Sequence, residues 1–283
     1  MKICRYNDDR LGVVVDGTIR DVTAAQDEIR ANAPYAMIGD AVIAALPEWR
    51  ERLAEMAMKA TPVAVDSVDL LSPVARPGKL MAAPVNYLAH IAEAQADKGI
   101  RVIERTMKIR EAGIFLKSNT GLVGPSQGIP IRFPDRRNDH EFEFALVIGT
   151  ECSRVSKEDA LGVIAGYTLG LDMTVRGPED RSFRKSCDGY SVLGPWMVTA
   201  DEIPDPDNVS FRGSVNGDVR QDANTSDLVL DIRNLIEYAS SFYTLYPGDV
   251  MYTGSPEGVS QVYPGDELHF ECEQIGDFRI TVR

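Results

Sequence analysis

The sequence has few cysteines and no long apolar run, and both absences exclude kinds of protein. The four cysteines are Cys4, Cys152, Cys187 and Cys272, and no two of them form a Cys-x-x-Cys pair. This spacing argues against a structural zinc site and against a disulfide framework. No segment is apolar enough to span a membrane, and the opening MKICRYNDDR lacks the apolar stretch of a signal peptide. We therefore expect a reducing, cytoplasmic location and no membrane partner.

Basic residues are scarce relative to acidic ones. The 283 residues include 30 lysines and arginines against 43 aspartates and glutamates, which gives a formal net charge of -13. Such a chain is poorly suited to nucleic acid or to an anionic membrane surface. It can still bind a small anionic substrate, because a few local basic residues suffice. The length allows one large domain and one small one, with a substantial buried core.

The chain divides near LLSPVARPGK, where two prolines interrupt the pattern. We predict a small N-terminal structural domain over 1–75 and a catalytic domain over 76–283. In the first, RLGVVVDGTIRDV predicts a hairpin whose turn is Asp16-Gly17. LPEWRERLAEMAMKA predicts a helix with Pro47 near its first turn.

The second part is predicted to be mainly β. Short apolar runs alternate there with glycine- and proline-containing turns, and one turn recurs in YPGDVMYTG and YPGDELHFE. Pro-Gly supplies the backbone angles of a type II turn, and a strand should follow each time. The predicted class is α+β, mainly β, with the strands closing as a mixed β-roll or sandwich.

The stretch NDHEFEFALVIG is typical of a strand that enters an interior. Because successive side chains of a strand point to opposite faces, one face carries Phe142, Phe144, Leu146 and Ile148, and the other Glu141, Glu143, Ala145 and Val147. The two glutamates would be about 7 Å apart and would repel by roughly 2 kcal/mol at an effective dielectric of about 20. A solvated strand face explains such a pair, and so does a divalent cation that carboxylates bind.

A third acid stands in AGYTLGLDMTVRG, where a mostly apolar strand leads into Asp172 just before an irregular loop. A turn-forming aspartate is one interpretation. Together with Glu141 and Glu143, however, Asp172 makes an all-oxygen triad of the kind that Mg²⁺ or Mn²⁺ prefers.

Two further stretches carry candidate catalytic side chains. In VNYLAHIAEAQADKG, His90 and Glu93 share a helical face with Tyr87 one turn earlier, and a glutamate that orients a histidine is a common general-base arrangement. A surface helix with Asn86 near its cap is the alternative. In RSFRKSCDGYSVLGPW, Lys185 could stabilise a developing enolate, or the segment could be a solvated basic turn.

Taken in order, these stretches resemble the fumarylacetoacetate hydrolase family over nearly all of the chain after residue 76. The resemblance rests on NYLAHIAE, DHEFEFALVIG, GYTLGLDMTVR, RKSCDGYSVLGPW, VNGDVRQ, LYPGDVMYTGSPEGV and PGDELHFECEQIG. It implies a family-type β-roll domain, usually in a homodimer, that acts on small anionic oxo acids.

The resemblance also implies the roles of individual residues. It implies Mg²⁺ or Mn²⁺ at Glu141, Glu143 and Asp172, a water-activating pair at His90 and Glu93, assistance at the anion by Lys185, and substrate contacts by Tyr87, Lys117, Arg176, Glu179 and Ser255. One departure is RGPEDR, in which Glu179 replaces a family glutamine that contacts substrate. This replacement affects how the distal end of the substrate is recognised. We also predict that QADKGIRVIERTMKIREAG, within the segment 94–116, is a helical lid extension that shapes specificity.

The implied reaction is hydrolysis of a carbon–carbon bond in a 2,4-dioxo acid, that is, an acylpyruvate. Loss of the acyl group leaves an enolate on the keto-acid fragment, and a metal ion can stabilise that charge. Oxaloacetate decarboxylation and 2-hydroxydienoate isomerisation pass through the same enolate and are the alternatives. A protein that binds metal and oxo acid without catalysis is a third interpretation.

Overall fold

The computed structural model describes residues 1–96 and 109–283. The helices within these residues are α1 Thr23–Asn32, α2 Ala41–Lys59, α3 Leu88–Ala96, α4 Ile109–Ala112, α5 Arg181–Arg184 and α6 Ile232–Phe242. None of these helices has the length and apolar character needed to cross a lipid bilayer. The predicted lid over 94–116 falls mostly on 97–108, which lies outside the described residues.

Strands dominate the described part of the chain, as predicted. They are β1 Lys2–Tyr6, β2 Arg10–Val15, β3 Thr18–Asp21, β4 Pro62–Ala64, β5 Leu70–Leu71, β6 Leu80–Ala82, β7 Phe115–Lys117, β8 Leu122–Val123, β9 Asn138–His140, β10 Phe142–Ile148, β11 Ile164–Asp172, β12 Thr174–Val175, β13 Ser191–Thr199, β14 Ser210–Val215, β15 Asp218–Asn224, β16 Val250–Tyr252, β17 Ser260–Gln261, β18 Glu267–Cys272 and β19 Gly276–Thr281.

One large sheet of 12 strands organises the molecule. Its strand order is β4-β3-β2-β1-β13-β11-β10-β16-β6-β7, with β5 paired to β1 and β8 paired to β13. A three-stranded sheet, β12-β9-β17, and a four-stranded sheet, β15-β14-β18-β19, complete the mainly-β fold. The N-terminal strands join the large sheet where β1 pairs antiparallel with β13. The division of the chain after residue 75 stays a prediction.

The N-terminal hairpin is confirmed. Strands β2 and β3 pair antiparallel, and Val15 faces Thr18 across the turn. Asp16 and Gly17 have φ values of 47° and 70°, which is the left-handed conformation that a tight two-residue hairpin turn requires.

The predicted start of the second helix is wrong. Helix α2 begins at Ala41, and Pro47 lies inside it and not near its first turn. The side chain of Asp40 caps the helix by accepting hydrogen bonds from the backbone N–H groups of Val42 (2.9 Å) and Ile43 (3.1 Å). Pro47 has no N–H for the carbonyl of Ile43, but the buried apolar face of the helix offsets this loss.

Both recurring turns have the predicted form. Gly248 and Gly265 have φ values of 86° and 100°. In each turn the aspartate donates its backbone N–H to the tyrosine carbonyl, at 2.9 Å for Asp249 and 3.0 Å for Asp266. Strands β16 and β18 follow directly, so the turn aims each strand into its sheet.

Strand β10 runs through the interior, and all of its residues are buried. Its phenylalanines, with Leu146 and Ile148, belong to the larger apolar cluster, whereas Ala145 and Val147 belong to a second cluster on the other side. The predicted two-faced strand is therefore confirmed. Glu143, the second residue of β10, faces the same side as Ala145, close to a core that excludes water.

Candidate active site

Three buried carboxylates meet where strands β10 and β11 pair. Glu141 stands in the one-residue break between β9 and β10, Glu143 follows on β10, and Asp172 ends β11. The backbone N–H of Asp172 donates to the carbonyl of Glu141 at 2.9 Å, which fixes the two chain segments together. One oxygen from each carboxylate lies within 4.8 Å of the other two. The solvated-face and turn interpretations are thereby excluded, because all three side chains are buried.

Two lysines compensate much of this negative charge. Lys117 donates its Nζ hydrogens to Asp172 Oδ1 and to the carbonyl of Tyr190 (2.9 Å). Lys185 donates to Glu141 Oε2 at 2.6 Å and to Asp172 Oδ2 at 2.8 Å. Both ammonium groups are buried. The predicted basic residue Lys185 is therefore part of the acidic cluster and not of a solvated turn.

The protonation equilibria of the cluster reflect competition between burial and charge. Burial alone would raise the pKa of Glu141, but the Lys185 ammonium and the Arg176 guanidinium outweigh it and lower that pKa to about 2. Burial raises the pKa of Glu143 well above its ordinary value, and the nearby charges of Asp172 and Glu141 add to this effect. A divalent cation would remove this repulsion, so the donor set fits a hard metal ion.

Arg176 is held against the cluster by an aspartate that sequence reasoning missed. Its Nε donates to Asp139 Oδ2 at 2.8 Å, and its Nη2 donates to Glu141 Oε1 at 3.3 Å. Arg137 donates its Nε to the other oxygen of Asp139 at 2.7 Å. The signal was present in the sequence, because Asp139, Glu141 and Glu143 follow one another at every second position.

Glu143 and Ser255 are connected through the loop that follows β16. The backbone N–H of Gly254 donates to Glu143 Oε2 at 2.7 Å. The adjacent Ser255 is buried, and its hydroxyl accepts a hydrogen bond from Gln221 Nε2 at 2.8 Å. Gln221 in turn accepts the backbone N–H of Phe142 at 2.9 Å, so this glutamine, which the sequence analysis did not select, links the loop to the start of β10.

His90 and Glu93 form the predicted pair on helix α3. His90 Nδ1 lies 3.0 Å from Glu93 Oε2, and the other oxygen of Glu93 accepts the backbone N–H of Gly258 at 3.0 Å. An ionised carboxylate only accepts hydrogen bonds, so Nδ1 carries the proton and Nε2 is left as a base. His90 is 7% exposed and close enough to Glu141 to lower the pKa of that carboxyl.

The two residues before helix α3, Asn86 and Tyr87, do not have the positions that the sequence predicts for them. Asn86 is buried and does not cap a surface helix. Its amide donates to the carbonyls of Leu230 (3.0 Å) and Thr253 (2.8 Å), which ties the start of α3 to two distant segments. Tyr87 precedes the helix and is not on it. Its buried hydroxyl has no hydrogen-bond partner among the described residues, and burial raises its pKa.

Among the contacts of the described residues, Glu179 pairs with Arg136 and not with the acidic triad. Its carboxylate accepts hydrogen bonds from the guanidinium of Arg136, at 3.2 Å and 2.8 Å. Arg136 also donates to the backbone carbonyl of Arg176, so Glu179 is connected to the site through two arginines.

A family profile described as "Fumarylacetoacetate (FAA) hydrolase C-terminal" matches residues 79–283. The match covers most of the chain and contains every acid, lysine and histidine of the site described above. The chain therefore belongs to the fumarylacetoacetate hydrolase family, as the sequence motifs indicate.

Three individual similarities refine this assignment. The chain is 49% identical over 286 residues to "Maleylpyruvate hydrolase" from Aquipseudomonas alcaligenes, covering 100% of this chain and 99% of the relative. It superposes with a TM-score of 0.84 and 36% identity on the crystal structure of maleylpyruvate hydrolase from Sphingobium sp. SYK-6 in complex with manganese(II) and pyruvate, covering 100% of this chain and 98% of that one. It is 34% identical to "Oxaloacetate tautomerase Fahd2a, mitochondrial" from Rattus norvegicus, over 74% of this chain and 67% of the relative.

Proposed function

We propose that this protein is a metal-dependent hydrolase that cleaves a carbon–carbon bond in an acylpyruvate, such as maleylpyruvate, fumarylpyruvate or the related fumarylacetoacetate, in the breakdown of aromatic compounds. The observation that carries the proposal is the buried acidic triad, with Lys185 bonded to it and the His90–Glu93 pair close by. The full-length similarity to two maleylpyruvate hydrolases supports the same reaction class.

The triad supports a site for one Mg²⁺ or Mn²⁺ ion. With the ammonium groups of Lys117 and Lys185, the three carboxylates carry one net negative charge, and a divalent ion would make the cluster net positive. That charge would favour an anionic oxo acid. When bound, the cation would act as a Lewis acid and stabilise the enolate that develops on the keto-acid fragment.

The basic residues around the triad would bind and orient the oxo-acid end of the substrate. Arg176 offers a planar guanidinium suited to a carboxylate, and Lys185 would stabilise the developing negative charge. We assign contacts with the rest of the substrate to Tyr87, Lys117 and Ser255. The buried hydroxyl of Tyr87 supports a substrate contact, because it has no hydrogen-bond partner in 1–96 and 109–283, and an unpaired buried polar atom is unfavourable.

The His90–Glu93 pair would supply the nucleophile. His90 Nε2 would take a proton from water as the water oxygen adds to the distal carbonyl carbon, and Glu93 would stabilise the resulting imidazolium. The bond from this carbon to the neighbouring methylene carbon then breaks. Its electron pair stays on the pyruvate fragment as an enolate, which a proton converts to pyruvate, while the acyl fragment leaves as a carboxylic acid.

A second candidate function uses the same enolate without water. Decarboxylation of oxaloacetate, or isomerisation of a 2-hydroxydienoate, needs the triad and Lys185 but no nucleophile. The similarity to an oxaloacetate tautomerase supports only the shared feature of this candidate, which is enol chemistry on an oxo acid without a water nucleophile. A protein that only binds metal and oxo acid is the third possibility, and the intact His90–Glu93 pair argues against it.

Three broader features also belong to the proposal. We propose a homodimer and a cytoplasmic location, and the four free cysteines support a reducing compartment. We propose that 1–75 is a small structural domain and that 76–283 carries the chemistry, which the family match over 79–283 supports. The proposed ion is Mg²⁺ or Mn²⁺, and the manganese(II) in the similar crystal structure supports a divalent ion.

The test compares several substrates on one metal-loaded preparation. Maleylpyruvate, fumarylpyruvate, fumarylacetoacetate and oxaloacetate are each incubated with the protein, and the released keto acid, carboxylic acid and carbon dioxide are quantified. The proposal predicts equal amounts of keto acid and carboxylic acid from a dioxo acid, with activity lost after chelation and restored by Mg²⁺. Efficient release of carbon dioxide from oxaloacetate, with no cleavage of any dioxo acid, would establish the second candidate.

A further inference from the structure

The loop that carries Arg176 is supported by a second arginine. Arg136 donates its Nε and Nη2 hydrogens to the backbone carbonyl of Arg176, at 3.0 Å and 2.8 Å. The same guanidinium donates to both oxygens of Glu179, at 3.2 Å and 2.8 Å. Arg136 therefore bridges the first and the fourth residue of the segment 176–179, and the two-point contact with a carboxylate fixes its orientation.

A glycine makes room for this bridge. A Cβ atom at Gly177 would overlap the Nη2 of Arg136 and would lie 2.6 Å from Glu179 Oε2. Any side chain at this position would push the guanidinium out of its place. The sequence RGPEDR thus combines a glycine that admits Arg136 with a glutamate that binds it.

The side chain of Arg176 points from this segment to the acidic cluster. It reaches Asp139 at 2.8 Å and Glu141 at 3.3 Å. Its backbone N–H donates to the carbonyl of Arg137 at 2.8 Å, and its carbonyl is held by Arg136. The backbone N–H and the backbone carbonyl of Arg176 are therefore both held by hydrogen bonds, which limits the conformations open to its side chain.

We propose that Arg136 and Glu179 are positioning residues, which hold the segment 176–179 so that the Arg176 guanidinium stays beside the triad to bind the carboxylate at the oxo-acid end of the substrate. This inference rests on the proposed function of the site. It assigns Glu179 a different task from direct contact with the acyl end, because both of its oxygens are engaged by Arg136.

Oxalate separates these two roles of Glu179. It resembles the enolate of pyruvate at the oxo-acid end and has no acyl group. If Glu179 contacts only the acyl end, its loss cannot affect the binding of oxalate. If Glu179 acts through Arg136 and Arg176, its loss weakens the binding of oxalate and of full substrates alike.

The experiment titrates oxalate into the Mn²⁺-loaded full-length protein by calorimetry. Arg136→Ala, Glu179→Ala and Gly177→Ala should each raise the Kd for oxalate about 10-fold or more, the scale of a lost charge-assisted hydrogen bond. Gly177→Ala is the decisive variant, because it displaces the guanidinium without removing a charge. Glu179→Gln should restore part of the affinity, since an amide oxygen still accepts from Arg136.

Matched measurements keep the result specific. Arg212→Ala breaks an exposed arginine–aspartate pair on the four-stranded sheet and should leave the Kd unchanged. The ends of the loop should keep their fold in the Arg136 variant, because Arg184 separately donates to the carbonyls of Val175 and Glu179. The manganese content and the melting temperature should therefore stay near the wild-type values.

Two outcomes would overturn the inference. One is an oxalate Kd within about twofold of wild type in Arg136→Ala and Gly177→Ala. The other is loss of manganese in these variants, which would mean that the pair supports the triad and not Arg176. Failure of the proposed function gives a different result, namely wild-type protein that binds oxalate and cleaves no dioxo acid.

Discussion

Replacing His90 with alanine should stop acylpyruvate cleavage and leave the metal site intact. In the described part of the chain, the imidazole donates its hydrogen bond to Glu93 and none to the acidic triad. The triad is bonded instead to Lys117, Lys185, Arg176 and backbone N–H groups. The variant should therefore retain its metal and its fold.

The expected loss can be divided between the two members of the pair. A positioned general base contributes about 10² to 10⁴ in rate, so His90→Ala should lose at least roughly 10²-fold in kcat. Glu93→Gln keeps the imidazole but removes the charge that stabilises its protonated form. A hydrogen bond to a charged group contributes roughly 1.5–3 kcal/mol, which corresponds to a loss of about 10- to 100-fold.

The assay measures keto-acid release from the preferred dioxo acid, with oxaloacetate decarboxylation followed on the same preparations. Decarboxylation should fall less than hydrolysis in His90→Ala, because it needs no activated water. Bound metal is determined alongside. Retained hydrolysis in the alanine variant, or an equal loss of hydrolysis and decarboxylation with full metal content, would refute the assignment of His90 as the base for water.

Three further predictions concern the metal, the anion and the fold. Glu143→Ala should abolish metal uptake and activity together, because it removes one of three carboxylates that lie within 4.8 Å of one another; elemental analysis of the protein measures this. Lys185→Met should lower kcat more than it raises KM, because an ammonium beside the enolate stabilises the transition state most. Asp40→Ala should lower the free energy of unfolding by about 1 kcal/mol, measured by urea titration, because it removes the side-chain cap of α2.

Each of these predictions has an outcome that contradicts it. Equal metal content in Glu143→Ala and wild type would mean that this carboxylate is not a ligand. A Lys185→Met variant altered only in KM would make the lysine a uniform binding residue. An unchanged urea midpoint in Asp40→Ala would mean that the cap contributes nothing to stability. An exposed helical site, Met58→Ala on the same helix, is the control for the last experiment.

The sequence predicts the acidic cluster because local periodicity is enough to place it. On any strand, side chains two residues apart share a face, so Glu141 and Glu143 converge whatever surrounds them. Asp172 follows an apolar run, and the ends of buried strands are where polar groups gather. The pairing of β10 with β11 then brings all three together.

Contacts that depend on tertiary structure escape such reasoning. Lys117 meets Asp172 across 55 positions of sequence, and the contact depends on how β7 lies in the sheet. Asn86 resembles a helix cap locally, yet its amide bonds to backbone groups 144 and 167 positions away. Proline is common in the first turn of a helix, which is why Pro47 suggested a helix start. Here Asp40 caps the helix, and the helix continues beyond Pro47 because one of its faces is buried.

The fate of a solvent oxygen tests hydrolysis by this site most directly. Cleavage of maleylpyruvate by the Mg²⁺-loaded protein is carried out in water labelled with heavy oxygen, and the carboxylic acid product is examined by mass spectrometry. Hydrolysis predicts one labelled oxygen in the carboxyl group that forms from the distal carbonyl, since water adds to that carbon before the carbon–carbon bond breaks. An acid product without label, or conversion of the substrate without release of any acid, would contradict hydrolysis as the function of this site.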